Sequence, residues 1–462
     1  MKTMTYSTGT WCARLAAALQ CLEKVQRPFL EKYWQTNSYP EQISFNGKDE
    51  TPFPKDDLCE VYDLARRAIQ SSEIKFYEPL RSALDPVRGI LRSHPALGRA
   101  LGPVIGNDEF RTTILNGSSL TWLSRLICGL MERANEEHIS GFETASAELG
   151  ALLDLSTHTL KTNIPNNLNI GFDLLLFHGP RIDAEIDLQD GLFIKPAADL
   201  RNFLEVEWLR DFVPENIDHR DWRQIGAVVR PFRWRPAFER KTDFYDRPPI
   251  WPVEFEADAF EFIDLLAVAN QTPIIPFVLL RGCIHRTACN LLGVRQSHGG
   301  IHPCRLVGKR YDPFRSPPKL HKSAVHQAMK VYKSRENVDQ IRLSAVVRRL
   351  SEALARDGRF GADDRILDVS QSIELMFEIK GTGIGKKLQK AMVDLLALDE
   401  EHAEEVRNAV KHFYDVRSAI VHGASDAYRK RLLEGRQRAF RSGFNLAKQA
   451  YFKLVLEGVT KE

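Results

Sequence analysis

No stretch of about eighteen consecutive apolar residues occurs in these 462 residues, so a membrane-spanning helix is not expected. The N-terminal MKTMTYSTGTWCARLAAALQCLEKV lacks a long apolar core ending at a small-residue cleavage site. It runs on as an amphipathic pattern, which reads as mature helix rather than signal peptide. Cysteine is sparse. Cys12, Cys21, Cys59, Cys128, Cys283, Cys289 and Cys304 are odd in number and scattered, which fits a reducing cytoplasm better than a disulfide scaffold. There is no internal repeat and no low-complexity tract. KGTGIGKKL, residues 380–388, has the glycines and lysine of a phosphate loop. However, no strand precedes it, and Lys387 stands where Ser or Thr is required. It reads as a flexible connector between helices. The H-x-E and P-C-x-x-C pairing of zinc deaminases is also missing.

What is present is enough to fold: 43% hydrophobic and 27% charged residues. The length suggests roughly two to four domains. The net charge of +3 conceals an asymmetry. Residues 305–462 hold 31 of the 64 Lys and Arg but 21 of the 61 Asp and Glu. The tail is therefore basic and the front acidic. A polyanion, if one binds, is expected at the C-terminal part.

The expected fold is mainly α, with four parts. Residues 1–156 read as a helical N-terminal region, from LEKVQRPFLEKYW, DLCEVYDLARRAIQ, LTWLSRLICGLMERA and FETASAELGALLDL, all with three- and four-residue apolar spacing. Residues 157–255 read as a small β-containing module. A hairpin is expected at Asp190-Gly191, and an edge strand in IGAVVRPFRWRPAF because of Pro231 and Pro236. Residues 256–320 read as a helical connector, with helical spacing in FEADAFEFIDLLAVAN and IIPFVLLRGCIHRTACNLLG. Residues 321–462 read as a helical domain, with helices expected at 321–333, 338–356, 363–379, 385–397, 401–422 and 427–457.

Two groups invite a chemical reading before the C-terminus is reached. Cys283, His285, Cys289, His298, His302 and Cys304 fall within 22 residues. His285 and Cys289 share a helical face, and either His298 with His302 or His302 with Cys304 can complete a tetrahedral zinc site. The spacing is not that of a standard finger, and buried cysteine is commonly a small hydrophobe. Structural zinc is the one cofactor the sequence suggests. Trp222, Trp234 and Trp251 lie near arginines and can stack bases, or simply pack.

YDVRSAIVHG, Tyr414 to Gly423, is the stretch richest in chemistry. Val406, Val410, Phe413 and Ile420 form an apolar seam, and Arg417 falls between the last two. A guanidinium there is costly unless an anion, a partner or water meets it. Ser418 and His422 are neighbours four apart, and Gly423 takes the C-cap position. Arg417 and His422 are separated by about 140° around the axis. Spacing alone does not select this pair. Arg-x4-His occurs three times, at Arg133/His138, Arg407/His412 and Arg417/His422, against about one expected by chance.

The stretch Y-D-x-R-S-x-x-V-H-G resembles the signature of the HEPN superfamily, and within it the Apea-like HEPN domains of prokaryotic anti-phage defence proteins. RILDVSQSIELMFEIKG, Arg365 to Gly381, is similar to their opening helix, with Asp368 and Glu374 in place. The likeness covers about residues 335–460. It implies a dimerising helical bundle that cleaves RNA without a metal cofactor. It makes Arg417 and His422 the catalytic pair, and groups Ser418 and Glu374 with them. A histidine can serve as acid or base near neutrality, and a permanently charged arginine fits a phosphate. RNA supplies its own nucleophile, the 2′-hydroxyl. Arg429, Lys430, Arg431, Arg436, Arg438 and Lys411 are the expected backbone contacts. The implied partners are RNA, tRNA among the candidates, a second copy of the chain, and a phage-derived trigger. The competing reading is a non-catalytic HEPN scaffold that binds RNA or regulates.

Overall fold

The computed structural model describes residues 7–36, 78–97, 113–114, 117–118, 126–127, 129–131, 133–134, 141–155, 165–188, 191–204, 225–234, 254–292, 302–303, 319–335, 340–356, 361–423 and 434–457. It is mainly helical, with a small antiparallel sheet. The helices are α1 (Thr8–Thr36), α2 (Glu78–Ser93), α3 (Gly141–Leu155), α4 (Glu254–Asn270), α5 (Arg286–Leu292), α6 (Lys322–Ser334), α7 (Gln340–Ala355), α8 (Ala362–Met376), α9 (Ile384–Leu396), α10 (Glu400–His422) and α11 (Arg436–Glu457). The strands are β1 (Thr113–Ile114), β2 (Gly117–Ser118), β3 (Ile170–His178), β4 (Ile186–Asp187), β5 (Phe193–Pro196), β6 (Ile225–Arg233), β7 (Ile275–Ile284) and β8 (His302–Pro303). DLCEVYDLARRAIQ lies outside the described residues.

An N-terminal core is built from α1, α2 and α3. Trp11, Leu15, Leu19, Leu91, Leu149 and Leu153 meet there with Leu126 and Leu130. Ala288 and Leu291 of α5 join the same core, which ties it to the sheet. Glu148 of α3 is buried. It accepts from Arg133 Nε and Nη2, both at 2.8 Å, and from Asn166 at 2.7 Å. Three donors offset the cost of burying that carboxylate.

The six-stranded sheet runs β4-β5-β6-β3-β7-β8, antiparallel at every pairing. β3 is central and buried from Gly171 to His178, because alternate side chains serve two cores. Leu175 and Phe177 face the bundle, while Leu174 and Leu176 face a smaller cluster with Leu200. The hairpin expected near Gly191 is present as β4–β5, with Gly191 at φ +76. β6 is not an edge strand, since it pairs with both β5 and β3. Its β5 pairing ends at Val229, so Pro231 falls where one side is unpaired and its missing N–H costs nothing on that side. A second difference lies at IIPFVLLRGCI, which is strand β7 rather than helix. A short continuous apolar run is compatible with either form. Pairing with β3 decides it, with a bulge at which Gly282 N donates to Asp173 at 2.9 Å. The segment expected to be a helical connector thus supplies α4, β7, α5 and β8.

The largest core is continuous from the sheet into the C-terminal helices. α4 packs on α6 and α7 and also touches β3, β6 and β7. Arg230 of β6 and Arg335 after α6 grip the same residue of α4, Asp258, at 2.7 and 3.0 Å. Within the bundle the main pairings are α7 with α8, α8 with α11, α9 with α10 and α10 with α11. The last of these is unusually close, because Gly443 of α11 lets Phe413 lie directly on its backbone. The expected helices of 321–462 are found with ends shifted by a few residues, and residues 427–433 lie outside the described set.

Candidate active site

α10 begins at Asp399, whose side chain accepts from His402 N at 2.8 Å, a standard N-cap. Glu400 and Glu401 in its first turn favour the same polarity. It ends at Gly423, whose φ of +79 few L side chains adopt. This cap leaves His422 exposed in the last turn.

The buried stripe of α10 is Ala403, Val406, Val410, Phe413, Val416 and Ala419. It passes through Val416, not Arg417. With 3.6 residues per turn, the position after Phe413 falls three residues on rather than four. Arg417 therefore borders the core, with 26% of its side chain exposed. Its Nη2 stands 3.6 Å from Glu374 Oε1 on α8, and Glu374 is 21% exposed. Tyr414, one turn earlier, donates its hydroxyl to the same Oε1 at 2.5 Å. The Arg417 guanidinium carbon is 5.9 Å from the Tyr414 ring centre. Burial, and next the Glu374 carboxylate, push the Tyr414 hydroxyl well above the usual tyrosine range, so it stays protonated and donating.

Among the described residues Arg417 makes no hydrogen bond, and its Nε is buried without a partner. The two other Arg-x4-His arginines differ. Arg133 is held in a fork by Glu148. Arg407 donates to Glu404 at 2.7 Å and to Glu400 at 3.2 Å. Arg417 alone of the three keeps its hydrogen-bonding capacity open, at a helix end that presents an exposed imidazole. A permanently charged donor with unsatisfied N–H groups is suited to an incoming anion.

The other predicted residues are distributed as follows. Ser418 is half-buried beside Arg417. Asp368 is bound to Arg356 at 2.5 Å and is not directed to Arg417. Lys411 is exposed on α10. Arg436 pairs with Asp363 at 3.2 Å; Asp363 lies at the start of α8, eleven residues and about 16 Å along the axis from Glu374. Arg438 is exposed in the first turn of α11. Arg429, Lys430 and Arg431 lie outside the described residues. His285 Nδ1 accepts from Thr287 N at 3.2 Å, capping α5, and its ring meets Phe203 edge-on at 5.0 Å. Cys289 is buried in α5. The backbone of His302 pairs with Leu279, while the His302 side chain and Cys304 lie outside the described residues. No metal-binding group occurs among the described residues. Nor is any described helix long and apolar enough to cross a membrane.

Two features escaped the sequence reading. One is Tyr414 as the donor that fixes Glu374. The other is the lysine-bearing connector after α8, whose start on α9 lies against Tyr414. An aromatic residue three before an arginine is the only local signal for the first; the second shows only once helices are paired. Comparisons with protein-family models, curated proteins and solved structures gave no match.

Proposed function

We propose that the C-terminal bundle is a metal-independent endoribonuclease of the HEPN type, acting in anti-phage defence as a cytoplasmic homodimer. Arg417 carries the reading: it is an arginine at the core margin, on the helix whose last turn exposes His422, and among the described residues it makes no hydrogen bond. Glu374 and Tyr414 orient it from one side, leaving the rest of the guanidinium for a phosphate.

In this mechanism His422 removes the proton from a ribose 2′-hydroxyl. The oxygen attacks the adjacent phosphorus, and Arg417 balances charge growing on the phosphoryl oxygens. The bond to the 5′-oxygen breaks. That oxygen takes a proton from the protonated His422 or from the histidine of a second copy. The products are a 2′,3′-cyclic phosphate and a 5′-hydroxyl. DNA, which lacks the nucleophile, is not cut. A second copy also doubles an otherwise sparse site. The N-terminal core, tied to the sheet by α5, and the sheet, tied to the bundle by α4, would sense the trigger.

The Arg417–Glu374 contact also favours a second reading, a scaffold in which the arginine is structural and RNA is bound but not cut. Incubating the purified chain with total RNA in EDTA separates the two. Under the nuclease reading the wild type cleaves, Arg417→Ala and His422→Ala do not, and His412→Ala remains active. Binding without cleavage by all four proteins refutes it.

A further inference from the structure

Lys380, Lys386 and Lys387 stand at the same end of the bundle as Arg417 and His422, and Lys390 lies one turn further along α9 from Lys386. Only residues 397–399 join α9 to α10, and the two helices pack closely, so they run antiparallel. Gly385 in the first turn of α9 lies opposite Tyr414, where an ideal Cβ would sit 3.9 Å from Tyr414 Cδ1. α10 then continues eight residues to His422, about 12 Å. Arg417, Ser418 and His422 therefore project past the start of α9, alongside the connector that carries Lys380.

All four lysines are exposed, and the first turn of α9 contains no acidic residue. Among the described residues Lys380, Lys386 and Lys390 form no ion pair. Lys387 donates to Lys380 O at 3.1 Å, which ties the connector to the helix. Of the nearby carboxylates, Glu378 is engaged by Arg342 and Glu374 by Tyr414 and Arg417, while the half-buried Asp415 of α10 forms no ion pair among the described residues. Asp394, one turn beyond Lys390, is exposed. Gly381 and Gly383 take φ of +85 and +72, with open space where a Cβ would be.

We infer that this lysine surface holds the phosphates of the RNA strand flanking the cleaved bond, leading the strand from Arg417 over Lys380 to Lys386 and Lys390. The identity of the strand rests on the nuclease reading; the surface itself is tested by binding. The probe is a short fluorescent single-stranded RNA, titrated by anisotropy against the full chain carrying His422→Ala. Each phosphate contact contributes about 0.7 to the slope of log Kd against log salt. Adding Lys386→Ala and Lys390→Ala should lower that slope by about 1.4 and weaken binding about 25-fold at about 0.1 M salt. The matched pair Lys322→Ala/Lys330→Ala, on α6 against α4, should leave both quantities unchanged. With His422 intact, the Lys386/Lys390 variant should raise KM and keep kcat. Unchanged Kd and slope in that variant overturn the inference, as does equal weakening by the α6 pair. A wild-type chain that never cuts RNA, yet loses binding with Lys386 and Lys390, overturns the nuclease and upholds the surface.

Discussion

Replacing Gly443 with alanine sets two known effects against each other, and the structure decides the sign. Gly443 lies inside α11, where alanine is intrinsically better by about 1 kcal/mol. The new Cβ, however, would fall 2.2 Å from Phe413 Cδ2, 2.4 Å from Cε2 and 2.8 Å from Cγ. Carbon atoms pack best at about 3.5–4.0 Å, so two ring atoms are overlapped by roughly 1 Å or more and the third by at least about 0.7 Å. Phe413 is 1% exposed and cannot swing out to solvent, so α10 must move off α11. Overpacking of this kind costs about 1–3 kcal/mol. With contacts this short the upper end applies, leaving a net loss of about 2 kcal/mol. Guanidinium denaturation, with hydrogen exchange read in α10 and α11, measures it. Adding Phe413→Leu should recover part of the loss by making room. A Gly443→Ala chain as stable as the parent, or more so, refutes the close approach. The same displacement carries Arg417 and His422 with it. A misplacement of about 1 Å can cost about 100-fold in rate, so cleavage, if present, falls further than stability does.

Gly385→Ala is the contrasting case. Its Cβ meets only Tyr414 Cδ1 at an ordinary 3.9 Å, so a thermal melt should show stabilisation of about 0.4–1 kcal/mol; a loss would mean that α9 lies closer to α10 than described. Glu374→Gln removes the charge facing Arg417 and should cost about 1 kcal/mol in denaturant unfolding, with a larger fall in RNA cleavage than Tyr414→Phe produces. A third prediction concerns acid. His94 is fully buried and stacks edge-on with Trp11 at 4.9 Å, and its Nε2 is 3.4 Å from Asp154 Oδ1. Burial outweighs Asp154 and holds its pKa down at about 4 instead of 6.5. The unfolded chain therefore binds more protons between those values. The stabilisation is present above about pH 6.5 and is lost as pH falls toward 4. Hydrogen exchange in α1 and α3 should show the N-terminal core weakening through this window, and His94→Gln should flatten the profile there.

The helices of the C-terminal bundle were legible because their apolar periodicity is strong and most are bounded by Gly or Asp. β7 was not. PIIPFVLL buries both faces of its strand, so it shows no alternation, and its identity depends on a partner, β3, that lies a hundred residues earlier. Burial of a polar group was equally hard to assign. Asp368 and Glu374 are six residues apart on α8, and either could have met Arg417. Arg356 takes Asp368, because both lie near the turn from α7 to α8, which leaves Glu374 for α10.

The difference between Arg417 and its two spacing mates shows where local sequence stops being informative. Arg407 carries its answer beside it. Glu400 and Glu404 lie seven and three residues earlier on the same helix, so their grip follows from helical geometry alone. Arg133 is satisfied by Glu148, fifteen residues on, which only the packing of α3 could reveal. No acidic residue lies one turn after Arg417, and Asp415 is two residues before it, off its face of the helix. Whatever meets this guanidinium must come from outside α10. From α8 it receives one distant carboxylate oxygen, already shared with Tyr414. A purely structural arginine at a core margin is expected to acquire a close, forked partner, as Arg133 has. That incomplete satisfaction of Arg417 is the observation on which the proposed phosphate contact rests.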